Sequence, residues 1–225
     1  MLQAIIFTTG GAILALELLA SRIMTPYFGV SLFIWSGILS ITLVSLALGY
    51  WWGGRLAAGR HGQALSAEKL ASLFALMPAV AAIAIVAACL VYPYLFQALA
   101  RFDLVAGAFI ACIALLFVPL FATSAMNPLL VALLLRQSAA KGAAADGGAG
   151  RVFFVSTIGS VAGVVVTAFG MIPYLSNFVS TLLVAVVLAL LPLAMILRSP
   201  VRFADRKRVV TVTTIALIEI GRAHV

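Results

Sequence analysis

Apolar stretches long enough to cross a lipid bilayer recur along this chain, and they constrain its fold more than any other feature. A hydrocarbon core about 30 Å thick needs roughly 20 helical residues at about 1.5 Å each. Six runs are complete by that measure: Leu2 to Ala20, Leu32 to Trp52, Leu70 to Val91, Leu104 to Ala122, Val152 to Met171, and Phe178 to Leu197. A further helix starts near Val209 and stops after about half that length. The expected fold is therefore all-α, a polytopic transmembrane helix bundle with six complete spans and a truncated seventh. Residues 1–218 form one membrane domain in this reading.

Composition agrees. Hydrophobic residues make up 65% of the chain and charged ones 9%, where soluble domains carry roughly 25% charged residues. Too few charges remain to cover a water-facing surface. The net charge of +8 raises the question of nucleic acid, but the basic residues lie between apolar runs and form no stripe interleaved with aromatics, so no nucleic-acid partner is expected. Cys89 and Cys112 both fall inside apolar runs and lack the spacing of a disulfide framework or zinc site. No basic region precedes Leu2, and the first run contains Glu17, so it reads as a retained helix and not a signal peptide.

The basic residues also give a direction. Arg55, Arg60 and Lys69 follow the second span; Arg136, Lys141 and Arg151 follow the fourth; Arg198, Arg202, Arg206, Lys207 and Arg208 follow the sixth. The other connections carry only Arg22 and Arg101. The positive-inside rule then puts the N-terminus and the three basic connections in the cytoplasm. Trp35 on the outer side and Trp51 and Trp52 on the inner side fit an interfacial aromatic belt. The expected location is a bacterial inner membrane, with the lipid bilayer as the first partner.

After Leu104 apolar character persists almost to Arg136, interrupted by Pro119, Asn127 and Pro128. A kinked helix accommodates this, and a short re-entrant piece is the alternative. Ser138 to Gly150, reading SAAKGAAADGGAG, is expected to be a flexible cytoplasmic linker.

Few residues in the spans could carry chemistry. Glu17 lies in the first run, where an ionised group at mid-membrane costs on the order of 3 kcal/mol. It is either a functional polar site or a paired or snorkelling carboxylate near the outer end of its span. Arg22 is its nearest candidate partner, but an offset of five residues does not align two side chains on a helix, so pairing requires α-helical structure to stop before Pro26 or a neighbouring helix to intervene. Asn127 is the third candidate polar residue. Gly49 with Gly53, and Gly159 with Gly163, have the small-xxx-small spacing of close helix packing, extended by Ser156, Ser160 and Thr167. Packing is preferred over substrate contact for all four glycines. No HExxH, Cys/His cluster, GxxxxGK or GxSxG occurs, so metal, cofactor-binding and catalytic residues are all expected to be absent.

The turn GYWWGGRLAAGRHG, from Gly49 to Gly62, resembles the loop between the second and third helices of major facilitator superfamily transporters, with Ala58 at that pattern's acidic position. Solvated anchoring is the reading its residues give. A broader resemblance involves ELLASR from Glu17 to Arg22, then YFGVSLFIWSGILSITLVSLALGYWWGGRLA from Tyr27 to Ala57, and later GRVFFVSTIGSVAGVVVTAFGMIPYLS from Gly150 to Ser176. These stretches resemble the N-terminal membrane domain of the spermidine synthase-like proteins, in which a major facilitator-like region is fused to a spermidine synthase. Glu17, Arg22 and Trp35 match that family's motif positions, and none gains a catalytic role from the match. The resemblance implies that aminopropyl transfer resides in a soluble Rossmann-like domain, outside these residues. The membrane domain would anchor that aminopropyltransferase-like domain or supply it with a polyamine-like substrate. The alternative is a small polyamine or cation transporter whose helices form the substrate path, with Glu17 as the cation-binding carboxylate; a ligand-free helix scaffold is the third reading. Glu219 to Val225, EIGRAHV, matches the translation of a common sequencing adapter. Residues 219–225 are therefore expected to be a non-native tail on a fragment.

Overall fold

A computed structural model of the chain describes residues 2–59, 65–139, 148–198 and 203–223, and every regular element among them is helical. Six helical segments are long and apolar enough to cross a membrane: Leu2–Phe28, Leu32–Ala58, Ala67–Arg101, Leu104–Arg136, Gly148–Met171 and Asn177–Arg198. The bundle is all-α and multi-pass. In lipid a backbone N–H has no water to turn to, so these segments satisfy their own hydrogen bonds by coiling.

Helix α1 (Leu2–Phe28) carries Pro26 in its last turn. A proline this close to the end removes one backbone bond and leaves the rest of the helix intact. Arg22 therefore stays on the helix and does not fold back toward Glu17. Gly29, with φ +76°, turns the chain into α2 (Leu32–Ala58), whose first turn is capped by Ser31. Helix α3 (Ala67–Phe102) passes through Pro78 and Pro93 and outlasts the expected end at Val91. Its extra turns are held by aromatic packing: Tyr27 meets Phe96 edge-on at 5.5 Å and Tyr92 at 6.3 Å, and Phe28 meets Phe96 at 5.7 Å.

Asp103 alone separates α3 from α4 (Leu104–Cys112), and its Oδ1 accepts the Ala106 N–H at 2.6 Å. The fourth crossing then runs without a re-entrant break. Helix α4 passes into a π-helical turn, Ile113–Phe117, and on into α5 (Val118–Ala139). That wider turn sits directly before Pro119, where an α-helical register would press the proline ring against the carbonyl one turn back. A second π-helical turn, Val166–Met171, follows α6 (Gly148–Val165) and ends the fifth crossing. Helix α7 (Asn177–Arg198) makes the sixth. Most of the expected linker, Arg60, His61, Lys141, Arg202 and His224 lie outside the described residues, whereas Gly148 to Gly150 belong to α6.

Helix α8 (Arg206–Ala223) occupies the place of the expected seventh span, but it begins at Arg206 and not near Val209. It is not among the helices apolar enough to cross: Arg206, Lys207 and Arg208 form its first turn, and Glu219 and Arg222 bridge at 3.1 Å near its end. One stripe, Val209, Thr213, Ala216 and Ile220, is buried against α3 and α7. Its start is held to α3, where Asp205 N–H donates to Ser72 Oγ at 3.2 Å and Ala204 N–H to the Glu68 carbonyl at 3.4 Å.

Helix α3 is the hub, packed against α5, α7 and α8. Two pairs, α1 with α6 and α2 with α5, make the most extensive contacts in the bundle. Both pairs are parallel. Gln3 and Arg151 meet at the start of α1 and α6, and Gly11 meets Gly163 farther along. Gly49 meets Ser124, and Gly53 meets Pro128, along α2 and α5. Arg55, Lys69, Arg136, Arg151, Arg198 and Arg206 thus gather at one end of the bundle, with Arg22 and Arg101 at the other.

A candidate polar seam between two glycine-locked helix pairs

The four glycines singled out by spacing lie at backbone-to-backbone approaches. A Cβ on Gly159 would collide with the Phe7 carbonyl oxygen, and one on Gly163 with the Gly11 carbonyl oxygen. Gly10 faces the Ser156 backbone just as closely, and Ser160 Oγ donates to the Gly10 carbonyl at 2.9 Å. In the other pair, a Cβ on Gly53 would come within 2.6 Å of the Ala125 carbonyl oxygen and 2.8 Å of Pro128 Cγ, and one on Gly49 would strike Ser124 Oγ. Without side chains at these points, each pair packs by close van der Waals contact, the main attraction available to helices in lipid.

Between the two pairs contact is much sparser, and two polar contacts, Glu17 with Thr42 and Asn127 with Ser156, lie there. Glu17 of α1 is half-buried and faces Thr42 of α2. Thr42 is 4% exposed, and its hydroxyl makes no hydrogen bond of ordinary geometry. Nearer the basic end, Asn127 of α5 is fully enclosed; its Nδ2 donates to Ser156 Oγ of α6 at 3.4 Å, and the Tyr50 hydroxyl of α2 lies beside it. Ser124 Oγ, one turn from Asn127, donates to the Ser45 carbonyl at 3.4 Å and to the Phe121 carbonyl at 3.0 Å. A broken line of polar groups therefore runs from Asn127 toward Glu17 along the junction of α1, α2, α5 and α6.

Glu17 and Arg22 are not brought together. Arg22 is exposed on the far side of the helix, and Glu17 makes no salt bridge among the described residues. A buried hydroxyl without a partner is uncommon and expensive; at Thr42 the neighbouring carboxyl supplies the reason. A protonated Glu17 can donate to the Thr42 oxygen, and an ionised Glu17 can accept from the hydroxyl. The seam can thus hold a carboxyl in either protonation state, or place it against a cationic group that enters from outside.

Thr42, Ser45 and Tyr50 are absent from the sequence-level candidates. The signal that would have found them is the run Thr42, Ser45, Gly49 and Gly53, small or polar residues three and four apart, which the structure buries on one face of α2. Cys89 and Cys112 are buried, with Cys112 Sγ 3.5 Å from Met24 Sδ. No group of three or more His, Cys, Asp or Glu able to hold a metal comes together among the described residues. Comparison of the chain with family models, curated proteins and solved structures finds no match.

Proposed function

We propose that this chain is the membrane-embedded domain of a spermidine synthase-like protein, anchoring a cytoplasmic aminopropyltransferase-like domain or supplying it with a polyamine-like substrate. The observation that supports this reading is spatial. The two stretches that carry the family resemblance, 17–57 and 150–176, are far apart in sequence, yet Tyr50 and Ser156 meet through Asn127. The residues that look like one family's motifs thus converge on one polar seam. In this reading the basic end faces the cytoplasm of a bacterial inner membrane, since that is where cationic connections are retained. The catalytic domain would sit at that end.

Genomic sequence downstream of this coding region tests the proposal. A reading frame continuing into a glycine-rich, Rossmann-like domain is the expected result, and a neighbouring sequence with no such domain, fused or separate, overturns it. The purified chain itself should release no methylthioadenosine when given putrescine and decarboxylated S-adenosylmethionine.

The Glu17 and Thr42 geometry favours a second reading, in which the helices themselves move a polyamine or another cation. A carboxyl with no cationic partner among the described residues is the group such a path requires. Polyamine flux into proteoliposomes, abolished by Glu17→Gln in a variant that still elutes as a single species, is the outcome this reading expects. Equal flux in the two proteins rejects it.

A further inference from the structure

At the basic end of α2, a cavity of about 500 Å³ is lined by Trp51, Trp52, Arg55, Leu56, Gly59 and Leu65. The Arg55 guanidinium lies over the Trp51 ring, 5.0 Å from its centroid. Trp52 forms the inner wall and is fixed by Phe121 of α5, ring to ring at 5.3 Å. Gly59, at φ +80°, ends the helix by donating to the Leu56 carbonyl at 3.2 Å. Below the cavity, toward mid-membrane, α2 exposes Val44, Leu48 and Trp51. With Arg55 these follow spacings of four, three and four, so they form one stripe along the helix. The stripe is apolar over three positions and cationic at the fourth.

We propose that this stripe and cavity are a binding site for one anionic phospholipid. The phosphate sits against Arg55, the glycerol region beside the Trp51 indole, and an acyl chain lies along Leu48 and Val44. Charge complementarity selects the occupant. The single described cation lining the cavity is at its membrane-surface end, while the stripe that continues from it is hydrocarbon. A soluble anion would use only Arg55 and leave the apolar stripe idle, whereas a zwitterionic lipid would bring its own cation to the guanidinium. Stacking on Trp51 holds the guanidinium plane in place, so less rotamer freedom is lost when the phosphate arrives. The site does not depend on the spermidine synthase-like reading, because it uses no residue of the polar seam.

Native mass spectrometry of the full chain in detergent, offered equimolar phosphatidylglycerol and phosphatidylcholine, tests the site. One bound phosphatidylglycerol per chain is expected, preferred by about fivefold, as one interfacial arginine confers. Arg55→Gln should abolish the preference and Arg55→Lys should retain part of it, while Arg136→Gln, which alters a cation outside the cavity lining, should leave it unchanged. Elution as a single species and unchanged helix content establish that each variant is folded. Three results would overturn the proposal: equal retention of the two lipids by the wild-type chain, full preference in Arg55→Gln, or displacement of the lipid by millimolar inorganic phosphate, which would identify a simple anion site.

Discussion

A glycine in a membrane helix can be a weak point or a contact point, and the backbone oxygen facing it decides which. Gly159 faces the Phe7 carbonyl and Gly163 the Gly11 carbonyl, so even a methyl group must push two helices apart. Overpacking of this kind costs about 1–3 kcal/mol. Gly159→Ala is therefore expected to lower the Tm of the purified chain in detergent measurably. Gly170→Ala, at a position with open space around it, should not. Equal shifts in both variants would show that glycine flexibility, and not close approach, governs these positions. The spacing of Gly159 and Gly163 was readable in the sequence, since it needs only a helix and lipid. Their partners were harder to read: Gly163 faces Gly11 but Gly159 faces the backbone of Phe7, a large residue whose carbonyl is marked by no spacing rule, and only the crossing of α1 over α6 makes it a contact. Thr42 is the same lesson for polar groups, because its importance comes from Glu17 on another helix.

Among the elements, the α3–α4 corner shows how little chain is needed to reverse a membrane helix. Asp103 ends one helix and caps the next, and Gly107 lets the new helix pass the old, where a Cβ would come within 2.7 Å of the Leu99 carbonyl oxygen. Loss of an N-cap carboxylate costs about 1 kcal/mol. Asp103→Ala should reduce thermal stability by that order, and Asp103→Asn, which keeps an accepting oxygen, should recover most of it. If Asn is as damaging as Ala, the charge and not the hydrogen bond holds the corner. Helix existence was legible from apolar run length. Helix ends were not, because Tyr92, Pro93 and Tyr94 look like an interface in sequence, yet α3 continues through them, with Tyr92 packed on Tyr27 and Phe96 on Tyr27 and Phe28. The π-turn before Pro119 was legible only as a disturbance: proline announces a lost backbone bond but not whether the helix bends, breaks or widens.

For the whole molecule, the parallel pairing of α1 with α6 and of α2 with α5 makes a prediction about sidedness that charge alone only suggests. If Lys69, Arg151 and Arg208 share one end of the bundle, and Arg22 and Arg101 the other, then variants with one added cysteine at these exposed positions must divide into the same two groups. The experiment has a clean background, because Cys89 and Cys112 are buried and should react with a maleimide only after denaturation. In intact spheroplasts a membrane-impermeant maleimide is expected to label Arg22→Cys and Arg101→Cys. Lys69→Cys, Arg151→Cys and Arg208→Cys should be labelled only once the membrane is opened. Arg208 is the most informative of these positions, since α8 is too polar to be assigned as a span and its placement rests on two hydrogen bonds to α3 and one buried stripe. Labelling of Arg208→Cys from outside while Lys69→Cys stays protected would detach α8 from α3 while leaving the six-span bundle standing. Labelling of Arg151→Cys from outside while Lys69→Cys stays protected would break the α1–α6 pair and, with it, the glycine-locked architecture on which the polar seam depends.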